Sequence, residues 1–261
     1  MRFLLTSGSF HSLPLRKTFL LAKEAGFDGM NLMVTKEFLG VDEIALVRDL
    51  QEILPIDSVH VPFAALWGWG NPIDKIQRTV RLAIEGGIPL VNFHPPGWLL
   101  LEIGFSAWFL GIQDFQKEVG NNKVMISIEN MPRLVRYFCD PHLLSRTGNL
   151  QRFLSERNLY LSFDSSHMGT KKTDFLEEFA ILYQTGKVKQ IQYSDYRDGR
   201  EHLKPGRGCL PLPALLRFLA KENYSEGLCL ELMQEEFPKE EKAIAATLKE
   251  MLEEIKKQLL V

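Results

Sequence analysis

Val124-Met125-Ile126-Ser127-Ile128-Glu129-Asn130-Met131-Pro132 and Leu159-Tyr160-Leu161-Ser162-Phe163-Asp164-Ser165-Ser166-His167 follow the same pattern. Each is a short, β-rich apolar run that closes on a carboxylate, Glu129 or Asp164. Between them, Asn149–Arg157 has the apolar spacing of an amphipathic helix. Strand, helix and strand at this distance form the repeat of a parallel sheet. The near-continuous apolar character of the runs suits strands covered on both faces.

Moving outward in both directions, the pattern repeats. Further runs are Phe3–Thr6, Gly29–Val34, Ser58–Val61, Leu90–His94, Val188–Tyr193 and Gly227–Leu232, which brings the total to eight. Their starts lie roughly 25 to 40 residues apart, about one βα unit each. Helical patterns fill the gaps: Leu15–Ala25, stopped by Gly26; Val41–Leu54, stopped before Pro55; Ile73–Glu85; Phe105–Val119; Phe175–Thr185; Pro211–Glu222; and the charge-laced Lys239–Leu260. Eight uninterrupted alternations predict an α/β fold, a single (β/α)8 TIM barrel over residues 1–261, rather than an open doubly wound sheet. No Gly-x-Gly-x-x-Gly follows the first run, so no nucleotide cofactor is expected.

Composition narrows the classes. Hydrophobic residues make up 45% and charged residues 25%, ordinary values for a globular chain. A formal net charge of −2 gives no general affinity for nucleic acid, leaving only Lys171-Lys172 and the run Arg197–Arg207 as local basic candidates. Cys139, Cys209 and Cys229 have no metal-ribbon spacing and read as reduced thiols. The opening Met1–Thr6 is too short an apolar run for a signal peptide. The longest apolar region, Trp98–Leu110, is broken by Glu102, Gly104 and Ser106. A cytoplasmic protein with no membrane partner is the expectation; the oligomeric state is left open.

The position of the polar residues carries the functional reading. Six of the eight runs end in, or just before, a residue able to bind a metal or move a proton: His60, His94, Glu129, Asp164 with His167, Asp195, and Glu231. In a parallel barrel all carboxyl ends meet at one rim. A lone histidine there is ordinarily a hydrogen-bonded core residue, and Asp164 alone would serve as a helix cap. Several such coincidences at the same end of successive strands point instead to a divalent-metal site, because buried carboxylates are costly unless paired or ligating. His142 is expected at a surface helix start and His11 outside the rim set, while Trp67 and Trp69 could wall a small-molecule pocket.

His60-Val61-Pro62-Phe63, Phe93-His94-Pro95, Ile128-Glu129-Asn130, Phe163-Asp164 through His167, Asp195, His202 through Gly208 and Leu230-Glu231 together resemble the xylose isomerase-like TIM-barrel superfamily, which also holds endonuclease IV. The resemblance spans nearly the whole chain. It implies a shared metal on Glu129, Asp164, position 192 and Glu231. Position 192 departs from the family's histidine and is Gln192, a poorer zinc ligand, which shifts the expected metal toward manganese or magnesium, with cobalt and zinc still in the set. It also implies His60, His94 and His202 as additional ligands, though Arg200 stands where endonuclease IV-like members have an aspartate.

Three functions follow from that resemblance. A sugar or sugar-phosphate isomerase or epimerase would use Glu129 and Glu231 for proton transfer. His167 would orient a hydroxyl, His60 and His94 would line the substrate site, and Arg197, Arg200 or Lys204 would bind a distal phosphate or carboxylate. A zinc phosphodiesterase would act on abasic DNA. A degenerate barrel would bind a ligand without turning it over.

Overall fold

The computed structural model describes residues 1–62, 66–97, 102–134, 140–171 and 173–259. Seven parallel strands run β1 (Arg2–Thr6), β2 (Gly29–Met33), β3 (Ile56–His60), β4 (Leu90–Phe93), β5 (Met125–Glu129), β6 (Tyr160–Asp164) and β7 (Val188–Tyr193). A hairpin, β8 (Asp195–Arg197) and β9 (Arg200–Leu203), intervenes before β10 (Gly227–Leu230), the eighth barrel strand. Each barrel strand pairs with its neighbours in sequence order, and β1 pairs with both β2 and β10, closing the ring. Leu4 marks the closure, lying opposite Gly29 on one side and Cys229 on the other. The barrel expected from the eight runs is the one observed.

The helices form where their ends are satisfied. α1 (Leu15–Ala25) stops at Gly26, whose φ of +90° lets its N–H reach back to Ala22 and Lys23. α2 spans Glu43–Gln51. α3 (Pro72–Gly86) begins with a reciprocal cap between Asn71 and Asp74 and a proline in its first turn. The single helix expected over Phe105–Val119 is two: α4 (Ile103–Gly111) and α5 (Phe115–Glu118). The break has a local cause. Ile112 turns extended, Asp114 caps the Lys117 N–H, and Glu118 Oε1 accepts the Gln113 and Asp114 amides, a local network that competes with helix continuation. α6 (Thr147–Glu156), the one-turn α7 (Ser165–Gly169), α8 (Phe175–Tyr183), α9 (Leu212–Lys221) and α10 (Glu241–Gln258) complete the outer ring. Among the described residues, no helix is long and apolar enough to cross a membrane. Cys209 and Cys229 are free thiols, and Cys139 lies outside the described residues.

The apolar core lies between barrel and helices. Phe109 stacks on Phe153 with ring centroids 5.0 Å apart, and Phe93 and Phe115 close around them. Inside the barrel the packing differs from the near-continuous apolar strands expected from sequence. Thr6 donates to Asn31 (3.0 Å), Asn31 to Ser58 (2.7 Å) and Ser58 to Gln190 across the barrel (2.5 Å). Ser127 bonds Asn92 (3.2 Å) and Ser162 (3.0 Å). Barrel interiors are ordinarily filled by branched apolar side chains. Here they carry two hydrogen-bonded polar chains, and the second leads up to Glu129 through Asn92 Nδ2 (3.0 Å).

Candidate metal centre

The strand ends deliver the site. His60 closes β3, Glu129 closes β5, Asp164 closes β6, Gln192 sits one residue from the end of β7, and His94 and Glu231 immediately follow β4 and β10. His202 comes from the β9 arm of the hairpin. Gln190 meets Ser58 across the barrel, so its side chain points inward. Strand alternation turns Gln192, two residues on, inward as well. The register places Gln192 beside Asp164 on one side and Cys229 on the other.

Glu129, 3% exposed, is the hub. Its Oε2 lies 3.4 Å from His60 Nε2 and 3.8 Å from His94 Nε2, and its Oε1 lies 3.0 Å from His167 Nδ1. His60 Nδ1 is 2.7 Å from the Val61 carbonyl. When Nδ1 carries the ring's single proton and donates there, Nε2 presents a lone pair toward Glu129, the orientation of a metal-binding imidazole. His60, His94 and Glu129 thus form one triad with metal-ligand spacing; Asp164, His167 and His202 form another. His167 and His202 stand 3.9 and 3.8 Å from Asp164 Oδ2 through their Nδ1 atoms. His202 holds a left-handed backbone, φ +54°, with its carbonyl pinned by the Met233 N–H at 2.9 Å.

Asp164 does two things at once. Its Oδ1 caps α7, accepting the His167 N–H and the Ser166 hydroxyl, both at 2.8 Å. Its Oδ2 is buried with no hydrogen bond among the described residues, and so are Gln192 Oε1 and Glu231 Oε2. All three are acceptors on neighbouring strand ends, and orphaned buried acceptors cost about 1–3 kcal/mol each. A divalent cation held there would satisfy all three together with Glu129, so these residues fit the ion implied by the resemblance.

The charges are arranged unevenly. Burial and the negative charges of Glu129 and Asp164, only partly offset by His202, push the Glu231 carboxyl up to about 7. Burial opposes ionisation of Glu129 too, yet His94, His167 and His60 hold it well below the usual range. His167 is the partner that counts, since burial depresses His94 to about 3 and leaves it neutral near pH 7. His167 itself is lifted to about 10, burial being outweighed by Asp164 and Glu129.

Above this floor opens a cavity of about 640 Å3 whose lining includes His60, His94, Glu129, His167, His202 and Glu231. Its walls come from the segments after β10, β1 and β2, adjacent because the ring closes between β10 and β1. Several expectations change here. His11 lines this cavity, since the short helical turn after β1 carries it over the rim. His142 is not at a helix start. It is half-buried in the loop before α6, bridged to Gly97 and 3.3 Å from the Pro95 carbonyl. Trp69 packs inward, edge-on to Phe38 and beneath Arg78, and Trp67 is 89% exposed, so neither walls the cavity. Arg197, Arg200 and Lys204 do not line it either. The hairpin turns both arginines to solvent, and Lys204 lines a separate cavity against α10. Lys171, half-buried and bonded to the Ser145 carbonyl at 2.6 Å, presents no basic loop; Lys172 lies outside the described residues.

Asp195 is not beside the metal candidates. It closes the following loop, accepting the backbone N–H groups of Tyr196, Gly206, Gly208 and Leu210. Glu201, half-buried beside His202, also feels the site's charges; burial raises it, and the sequence carries no pattern that marks it. The hairpin itself had a signal: Asp198-Gly199, both with positive φ, is a two-residue hairpin turn.

Residues 19–255 match the family model described as xylose isomerase-like TIM barrel. An uncharacterized protein of Mycobacterium leprae is 30% identical over 87% of this chain and 87% of its own length. Among solved structures, a D-tagatose 3-epimerase-like protein superposes with a TM-score of 0.74 at 20% identity, covering 99% of this chain and 98% of that one. Endonuclease IV from Thermus thermophilus superposes at 0.64 and 16% identity, covering 97% and 100%. On the strength of the family match over most of its length, the chain belongs to the xylose isomerase-like TIM barrel family.

Proposed function

We propose that the protein is a divalent-metal-dependent isomerase or epimerase acting on a sugar or sugar-like hydroxy-carbonyl compound. The observation that carries this reading is the pair Glu129 and Glu231. They lie on the lining of one small-molecule cavity, and their surroundings push their proton affinities apart. Glu129, Asp164, Gln192 and Glu231 would hold the ion, an oxygen-rich set suited to manganese or magnesium. When bound, such an ion supplies polarisation of a substrate carbonyl. Glu129, kept ionised by His167, would take the proton beside that carbonyl. Glu231 would return one from another side of the site. His167 would hold a substrate hydroxyl, with His60 and His94 contacting the same end.

The test is solvent deuterium exchange into a panel of sugars and sugar phosphates with manganese-loaded protein. Incorporation is expected, and Glu129→Gln and Glu231→Gln should each lower it by about 10²-fold or more, the scale of a positioned acid or base. Near-wild-type exchange in either variant would remove that residue from the proposed pair.

One observation favours a second reading. The two histidine-bearing triads would suit zinc and a phosphodiesterase acting on abasic DNA. Elemental analysis separates the readings: one manganese, magnesium or cobalt ion per chain supports the first, and two or three tightly held zinc ions with nicking of an abasic duplex support the second. A chain that takes up no metal is a degenerate binding barrel.

A further inference from the structure

Beyond the catalytic floor, the cavity is not built like a polyol site. We infer that the substrate is amphipathic: a hydroxy-carbonyl head seated at the strand ends and attached to an alkyl or aryl group that runs along the wall after β10, β1 and β2. The wall presents Phe10, Leu13, Met33, Leu66, Leu232 and Met233. Several polar residues on the same lining are already engaged by the protein, while His11, Lys36 and Glu235 are exposed. Ser7 Oγ accepts the Met33 N–H at 2.8 Å, and Ser9 Oγ accepts the Leu232 N–H at 3.0 Å. Thr35 Oγ1 accepts the Glu37 N–H, and Glu37 Oε1 accepts the first amide of α1 at 3.0 Å. Gln234 is used at both ends, its Oε1 by the Ser12 N–H and its Nε2 by the Ser12 hydroxyl.

Away from those three exposed residues, a sugar chain laid along this wall would exchange its water for few free partners, and each unpaired hydroxyl would count against binding. An alkyl or aryl group would remove Leu13, Met33 and Leu66 from water at no such cost. At about 640 Å3 the cavity falls near the middle of the range, roughly 300–1,000 Å3, that drug-sized ligands fill. Met233, half-exposed, continues the apolar surface toward solvent, so a longer tail still finds cover.

The head-group half of this inference rests on the function proposed above; the wall stands independently of it. Two probe series separate the halves. The first is the n-alkyl hydroxamates from acetohydroxamate to octanohydroxamate, titrated calorimetrically into manganese-loaded protein. The second is the n-alkanols of the same lengths, which lack a chelating head, read by ligand-observed NMR.

Affinity should rise in both series by about three- to fourfold per methylene until the wall is covered. The slope should flatten in the double variant Met33→Gln, Met233→Gln, while acetohydroxamate binding stays unchanged. A flat response to chain length in both series overturns the apolar wall. A slope that persists unaltered in the double variant also overturns it, by placing the tail elsewhere. Alkanol binding with the expected slope, alongside no metal-dependent hydroxamate binding, keeps the wall and overturns the metal-site reading instead.

Discussion

Glu231 holds the least comfortable charge in the site, with its Oε2 buried and unbonded and its carboxyl raised to about 7 by burial and by Glu129 and Asp164. Its folded-state affinity for a proton exceeds the ordinary value of 4.5. In the metal-free protein its contribution to stability is therefore complete below that ordinary value and is lost as pH rises through about 7. Metal binding runs the other way, because the ion must displace the proton. Manganese affinity should climb about tenfold per pH unit below neutrality and level off above it, and Glu231→Gln should flatten the profile. Calorimetry at several pH values between about 5.5 and 8 checks this; a flat wild-type profile would remove Glu231 from the ligand set. Gln192 offers the complementary test. Gln192→His should tighten zinc by at least about tenfold, since imidazole is the better zinc donor, and unchanged affinity would mean that residue 192 does not reach the ion. At this scale the sequence was most legible. Residues that close strands are located by the strands themselves, so His60, Glu129, Asp164 and Glu231 could be named without coordinates. His11, Glu201 and the serines of the wall could not, because loop trajectories place them and no periodicity encodes a loop.

Among the elements, the β8–β9 hairpin matters most, since it lowers His202 over Asp164 from outside the barrel ring. In sequence, Arg197–Arg207 reads as a basic run suited to gripping a phosphate. In the structure the run is a hairpin and a loop, and two of its charges are spent locally: Arg197 on the Gly208 carbonyl and Arg207 on Glu236. The loop is held by Asp195, whose two oxygens take four backbone amides, and Gly208 is required there because a Cβ would lie 2.1 Å from Asp195 Oδ1. Asp195→Ala should therefore cost about 2–4 kcal/mol in urea unfolding, the loss of charge-assisted bonds softened by rehydration of the freed amides. It should also weaken any ion that His202 ligates, while leaving ligation by His60 and His94 intact. Equal loss at both triads would mean that the hairpin does not position His202 separately. The split of the expected helix 105–119 makes a similar point: Phe105, Phe109 and Phe115 keep helical spacing, and only the Asp114 and Glu118 side chains reveal that the chain breaks between them.

For the whole barrel, the polar interior and the orphaned rim acceptors have one thermodynamic consequence. The eight-strand ring was legible from alternation alone, because each run must be buried on both faces and only a closed parallel ring covers all eight alike. The polar chains inside it were not, since Ser58, Asn92 and Gln190 look like blemishes in apolar runs until the ring brings them together. Those chains are largely hydrogen-bonded internally, with Gln190 Nε2 left over, whereas Asp164, Gln192 and Glu231, on three adjacent strand ends, each leave a buried acceptor unpaired among the described residues. Glu129, Asp164, Gln192 and Glu231, which would hold a divalent ion, come from β5, β6, β7 and the residue after β10, so its binding would tie half the ring at one point. Binding to this assembled set requires the folded barrel, whose ligands lie far apart in an unfolded chain. Stability should then rise with free metal as linkage demands, by about 2.7 kcal/mol at a hundredfold excess over the dissociation constant. For a chain of this size that is a shift of about 5–10 °C in the unfolding midpoint. Scanning calorimetry of the chelator-treated protein against increasing manganese measures it, and Asp164→Asn should abolish most of the increment. A midpoint that ignores metal while titration still reports binding would place the ion away from these four strands, on a surface the unfolded chain offers equally well.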